Sequence, residues 1–327
     1  MTQQYKSTCR KIANLILGTA LACAAVPSST ALETSGAVTA TGQGEFSLEP
    51  DTTEHSQERK EIENLLNTIE AQWNAHNLEG VMNNYADDYI NNDGLDKKAV
   101  TELTKDFWKT YPDAKSSSKT KQIRIDGSFV TVESRDMAVG TTAKEMPGIG
   151  TKGDLNSISE GQLYIKKTGS SWKIIGDRID YEKVRVAFGL ARQLQACFSA
   201  PEQVKSGKQY SAKLELNLPT GLSAVGSITS QILKYPQPAP SEIWRPLEGP
   251  SLERVISANS DNRNELLMAT IGITNARRDA LMGMEFLTRR LNVVPYIEEH
   301  NDKSVEKTAS ADENKTSPKS DSEKTDQ

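Results

Sequence analysis

The stretch that decides the fold is IENLLNTIEAQWNAHNLEGVMNNYADDYINNDGLDKKAVTELTKDFWKTYP, Ile62 to Pro112. It reads as three short amphipathic helices placed end to end. Ile62, Leu65, Leu66, Ile69 and Trp73 recur at the spacing of one helix face. Behind Asn77, in the N-cap position, Leu78, Val81, Met82, Tyr85 and Tyr89 repeat that pattern. After the capping candidate Asp96, Val100, Leu103, Phe107 and Tyr111 form the third face, and Pro112 stops it.

Downstream the period changes from helix to strand. Gln122 to Ile125 and Phe129 to Val139 are strand candidates separated by the tight-turn pair Asp126-Gly127. Residues 143–156, with Pro147, Gly148, Gly150 and Gly153, form a loop by composition. Ile158 to Lys167 and Ser171 to Tyr181 follow as a second pair joined at Gly169-Ser170. Helices first, then a meander of long strands, predict an α+β domain with its helices on one face of a curved antiparallel sheet.

Three segments carry a family resemblance: Trp73-Asn-Ala-His76-Asn77-Leu78-Glu79, Tyr85-Ala-Asp87-Asp88-Tyr89 and Ser171-Trp172-Lys173-Ile174. Residues 58–190 resemble the nuclear transport factor 2-like superfamily, and most closely its polyketide-cyclase-like (SnoaL-like) branch. The resemblance implies a cone, three helices on a curved sheet, with a pocket between them. Trp73, Tyr85, Tyr89, Trp108 and Tyr164 are then candidate pocket walls, or else simply core. That fold carries enzymes, ligand binders and dimerisation modules alike, so the resemblance names no activity.

Residues 199–297 read as a second domain. Tyr210, Ala212, Leu214, Leu216 and Leu218 alternate strictly with polar residues, as in a half-buried strand. Ala224 to Tyr235, Leu266 to Thr274 and Met284 to Val294 are further strand candidates, and Ser251 to Ala258 is open between helix and strand. This turn-punctuated run predicts a C-terminal β-sandwich of immunoglobulin-like architecture. The expected organisation is thus signal peptide 1–31, disordered spacer 32–57, cone 58–190, sandwich 199–297 and disordered tail 298–327. The tail has nine acids, five lysines and almost no apolar residues.

The amino terminus fits export. Lys6, Arg10 and Lys11 precede an apolar run from Ile12 to Val26, and Ser29-Thr30-Ala31 offers small-x-small cleavage. Ala20-Leu21-Ala22-Cys23 is similar to a lipobox, so a lipid anchor at Cys23 is the variant reading. Expected localisation is therefore periplasm, envelope or outside the cell, with membrane contact only through the signal or that anchor. Removing residues 1–31 removes three cations and no acid, taking the formal charge from −5 to −8. An acidic chain without a basic cluster argues against nucleic-acid binding. Only Cys197 would remain in the mature chain, so no internal disulfide is possible; between Leu194 and Phe198 it reads as a buried apolar residue.

Candidate chemistry is sparse. His76 sits in the turn between the first two helices, and histidine is the side-chain type whose charge changes near neutral pH. Asp88, at the end of the second helix, and Asp177, on a strand, are candidate general bases if burial raises their pKa. Glu160, Gln162 and Tyr164 alternate on one strand face, lining either the cone interior or an exposed surface. No metal-ligand spacing and no phosphate-binding glycine loop occurs, so neither metal nor cofactor is expected. The balance leans towards a non-enzymatic binding protein for a small apolar ligand or an envelope protein. An isomerase, cyclase or hydratase using an acid–base pair, and a homodimerisation module, are the alternatives.

Overall fold

The computed structural model describes residues 55–296. Helix α1, Ser56–Asn74, buries the Ile62, Leu66, Ile69 and Trp73 stripe. Helix α2, Leu78–Met82, starts where Asn77 Oδ1 accepts the Gly80 N–H at 3.0 Å. It ends seven residues before Tyr89, which corrects the longer helix read from the sequence. The Asn84 side chain donates to the Gly80 carbonyl at 2.7 Å, and the chain then runs along a strand, with Ala86 N–H on Ile174 O and Ile90 N–H on Ile175 O. Tyr85 and Tyr89 therefore point inward from a strand-hugging segment. Helix α3, Lys97–Thr110, begins at Asp96, whose Oδ1 accepts from Ala99 N–H at 2.7 Å.

Four long strands follow: β1, Lys115–Asp126; β2, Phe129–Thr141; β3, Asp154–Thr168; and β4, Ser171–Gly189. They pair antiparallel in sequence order. Short elements come next: a 3-10 turn, Leu190–Gln193; β5, Ala196–Ser199; and β6, Gln203–Lys205. Then come β7, Gln209–Leu216; β8, Leu222–Ile232; β9, Arg245–Pro246; β10, Ser251–Ser257; β11, Glu265–Asn275; and β12, Leu281–Val294.

The topology overturns the expected fold class of an α+β cone followed by a separate β-sandwich. The chain is mainly β, and one large sheet in the order β1-β2-β3-β4-β12-β11-β8-β9 runs through both halves, with β6 added parallel to the end of β12. The seam is the antiparallel pairing of β4 with β12, from Lys183↔Arg289 to Gly189↔Gly283. Long-range pairing is the physical reason. β4 extends eight residues beyond the Tyr181 end read from the sequence, and that extension is the edge to which the last strand adds.

Each face of the sheet has its own core. The three helices cover one face, here called inner, over Val130, Val132, Leu163, Ile165 and Ile174. The same core continues under the C-terminal half to Leu266, Met268, Phe188 and Phe286, the last two meeting edge to face at 6.1 Å. On the outer face a three-stranded sheet, β10-β7-β5, packs on Ala187, Leu267, Ala269, Ile271 and Leu287 through Leu214, Leu216 and Phe198. An immunoglobulin-like domain standing apart is not formed, because its larger sheet continues the sheet under the helices.

A buried ion pair ties the halves together on the inner face. Arg290 of β12 binds Asp93, in the loop before α3, through two hydrogen bonds of 2.7 and 2.8 Å, and Asn264 adds a third at 3.0 Å. Burial opposes ionisation of Asp93, but the Arg290 hydrogen bonds and charge outweigh it and hold the carboxyl below its usual range. The predicted signal, the spacer up to residue 54 and the tail beyond residue 296 lie outside the described residues.

Candidate functional site

Strand alternation puts an unusual set of residues on the inner face. From Val130 and Val132 the face of β2 continues through Ser134, Asp136 and Ala138, all buried. The register carries this across the sheet: Ser118, Asp136, Ser159 and Glu182 form one row, and Ser116, Ala138, Ser157, Val184 and Thr288 the next. A polar stripe thus crosses the sheet beneath the helices, where an apolar surface is the rule.

The stripe holds the buried carboxyls Asp136 and Glu182, and Asp177 lies two rows away on the same face. Asp136 is 6% exposed, and Ser134 Oγ donates to its Oδ2 at 3.0 Å. Burial pushes its pKa up to about 7; the Ser118 and Ser134 hydroxyls oppose that rise and the nearby Glu70 charge adds to it. Asp177 receives a short hydrogen bond from the Tyr89 hydroxyl. Burial raises Asp177 to about 6 against that bond, and the Asp93 charge raises it further. Tyr89 is itself driven well above its ordinary value by burial and by Asp177. Ser134, Asp136, Ser159, Leu163 and Asp177 surround a cavity of about 10 Å³. That is room for about one water, not for an organic substrate.

The aromatic residues named from the sequence fill the remaining interior. Trp73 packs on Phe107 and Trp108 with ring centroids 5.4 and 5.7 Å apart, and Tyr85 meets Tyr89 at 4.9 Å. His76 stacks on Trp108 at 4.8 Å, with Nε2 3.2 Å from the Ala114 carbonyl oxygen, and caps this cluster from the turn. The structure therefore brings Tyr85, Tyr89 and Asp177 together, and separately Trp73, Trp108 and His76.

The other candidates lie elsewhere. Asp88 is exposed; its neighbour Asp87 is paired with Lys97 at 2.9 Å. Glu160, Gln162 and Tyr164 lie half-buried on the face away from the helices. There Glu160 pairs with Lys121 and Arg135, Gln162 donates to Glu133, and Tyr164 donates to Gln162. Asp136 was missed because its strand carries no apolar residue after Val132 on that face except Ala138; the unbroken inward alternation from Val130 was the signal that could have found it.

A second concavity lies on the outer face. A groove of about 590 Å³ has Met137, Val139 and Ile158 as its floor, β5 as one wall and Leu287 at its inner end. Met137 is 51% and Val139 52% exposed, although both are large and apolar. Cys197, read from the sequence as buried, is exposed on this wall. β5 alternates, so Phe198 turns into the second core while Cys197 turns away from it. Lys115, Lys183 and Arg185 also line the groove, and no acidic residue does. Arg185 is committed to buried Glu285 at 2.5 Å. Among the described residues no group of three or more His, Cys, Asp or Glu is placed to hold a metal ion.

No protein-family model matches the chain, and no curated protein does. Similar solved structures include a putative scytalone dehydratase from Novosphingobium aromaticivorans, at 18% identity over 37% of this chain and 82% of that one, with a TM-score of 0.31. Another is a nuclear transport factor 2-like superfamily protein from Salmonella enterica, at 13% identity, 37% and 88% coverage, and a TM-score of 0.31. Bd1075 from Bdellovibrio bacteriovorus is 16% identical over 39% of this chain, which spans only 42% of that protein, with a TM-score of 0.32. Each of these likenesses covers little more than a third of this chain.

Proposed function

We propose that this is a non-catalytic binding protein, exported by the signal read at residues 1–31, whose ligand is a small apolar molecule held in the outer-face groove. One observation carries the reading: the groove offers about 590 Å³ with a largely apolar floor. That volume is in the range of small-molecule sites. By contrast, the cavity beside the buried acids offers about 10 Å³. An isomerase, cyclase or hydratase with Asp177 as its base would have to seat its substrate there, and Asp88, the other candidate base, is exposed, so that alternative is not adopted.

The test is native mass spectrometry of the protein taken gently from its host, beside the double variant Met137→Asp, Val139→Asp. Both positions are half exposed, so the variant should still fold, at a cost of about 1 kcal/mol each. Extra mass that leaves on denaturation, present in the parent and absent from the variant, supports the reading. Small-molecule mass retained equally by both moves the site elsewhere. A dimer without small-molecule mass transfers the groove to assembly.

A further inference from the structure

The groove differs from the rest of the molecule in its charge. The chain as a whole carries a formal −5, yet the groove is lined by three cations and no acid. Arg185 is spent on Glu285 and on the Ala191 and Leu194 carbonyls. Lys115 and Lys183 are both exposed, and among the described residues neither makes an ion pair. Lys115 donates to the Asn74 carbonyl, and Lys183 lies 5.3 Å from the Tyr181 ring centre; neither contact cancels a charge.

These two lysines stand on β1 and β4, at opposite sides of the apolar floor made by Met137, Val139 and Ile158. Three strand spacings separate them, about 14 Å. From this juxtaposition of an open apolar trough and uncompensated ammonium groups on its rim, resting on the binding role proposed above and narrowing its ligand from apolar to amphiphilic, we infer that the ligand is a single-chain amphiphile with an anionic head. The chain covers the Met137–Val139–Ile158 floor towards Leu287, and the head lies at the cationic rim. An alcohol or an amine on the same chain satisfies the floor but not the rim. The ammonium head adds a third uncompensated cation.

The experiment titrates the full-length protein at low salt and slightly alkaline pH with three probes of equal chain length: laurate, dodecanol and dodecylammonium. Binding is read by calorimetry, and location by protection of Cys197, on the groove wall, from alkylation, read on the Cys197 peptide by mass because the full chain also carries Cys9 and Cys23. Laurate should bind tightest, dodecylammonium weakest, and laurate should protect Cys197. Lys115→Gln or Lys183→Gln should weaken laurate about two- to fivefold and leave dodecanol unchanged. Raising the salt on the parent protein should act in the same direction, so the result does not depend on either variant folding.

Dodecanol binding as tightly as laurate, with no salt effect on either, overturns the anionic head and leaves the apolar groove standing. All three failing to bind or to protect Cys197 overturns the groove reading itself. Tight laurate binding without Cys197 protection places the anion site outside the groove and overturns the inference.

Discussion

Replacing Asp136 by Asn should stabilise the protein, and only above mildly acidic pH. In the folded chain burial lifts Asp136 from its ordinary 3.8 to about 7. The folded state therefore holds this proton more tightly than the unfolded state does. Its contribution to stability is fully present below the unfolded pKa and is lost as pH rises through the folded one. About three pKa units at about 1.4 kcal/mol each give a cost of ~4 kcal/mol above pH 7. Asparagine has nearly the same shape, can accept the Ser134 hydrogen bond through its carbonyl, and carries no such cost. Allowing for relaxation around the charge, Asp136→Asn should equal the parent near pH 4 and exceed it by about 2–4 kcal/mol near pH 8. Urea unfolding followed by tryptophan fluorescence, repeated across that range, measures the difference directly. Asp177 titrates with the same sign in both proteins, so it cancels in the comparison. A variant no more stable than the parent near pH 8, or an offset constant with pH, would refute the reasoning.

Two further substitutions test the packing of the fold. Arg290→Met leaves Asp93 buried without its bidentate partner and should cost about 3–5 kcal/mol in urea unfolding near neutral pH. Adding Asp93→Leu should recover much of that loss, because the buried charge is then gone. Gly161 lies in the bulge between β3 and β4, where an added Cβ would come within 2.2 Å of the Arg178 carbonyl oxygen. Gly161→Ala should therefore lower the unfolding free energy by about 1–3 kcal/mol, since the obstruction is backbone. An unchanged urea midpoint would mean that the bulge relaxes freely.

Local structure was legible wherever an apolar face repeats. The stripe from Ile62 to Trp73, the Asn77 and Asp96 caps and the alternation from Tyr210 to Leu216 all mark elements that form. Legibility failed where inward residues are polar. The first six residues of β1 turn Ser116 and Ser118 inside, so Lys115–Thr120 looks like a surface segment. Asp177 could be named as a strand carboxyl, but nothing local says that its partner is Tyr89, 88 positions away. The fold class failed for a related reason. β4 meets β12 about 100 residues later, and a sheet edge leaves no local pattern that tells a solvent-facing strand from one awaiting a neighbour. The groove was invisible as well. Met137 and Val139 read as ordinary members of a strand, and their exposure follows only from where β5 stops.

The β4–β12 seam bears on how the chain is made. When β4 has been synthesised, its helices and three antiparallel neighbours are already present, yet residues 183–189 lack the partner that will cover them. That partner is the last strand of the described chain. At about 5–20 residues per second, an interval of roughly 5–20 s separates the two. Throughout it the nascent protein displays an unpaired strand containing Val184, Val186 and Phe188, the kind of edge that recruits other chains. Cutting the gene at the apparent boundary near residue 199 would make that interval permanent. A truncated protein ending there should aggregate through β4, while the whole chain buries the same strand.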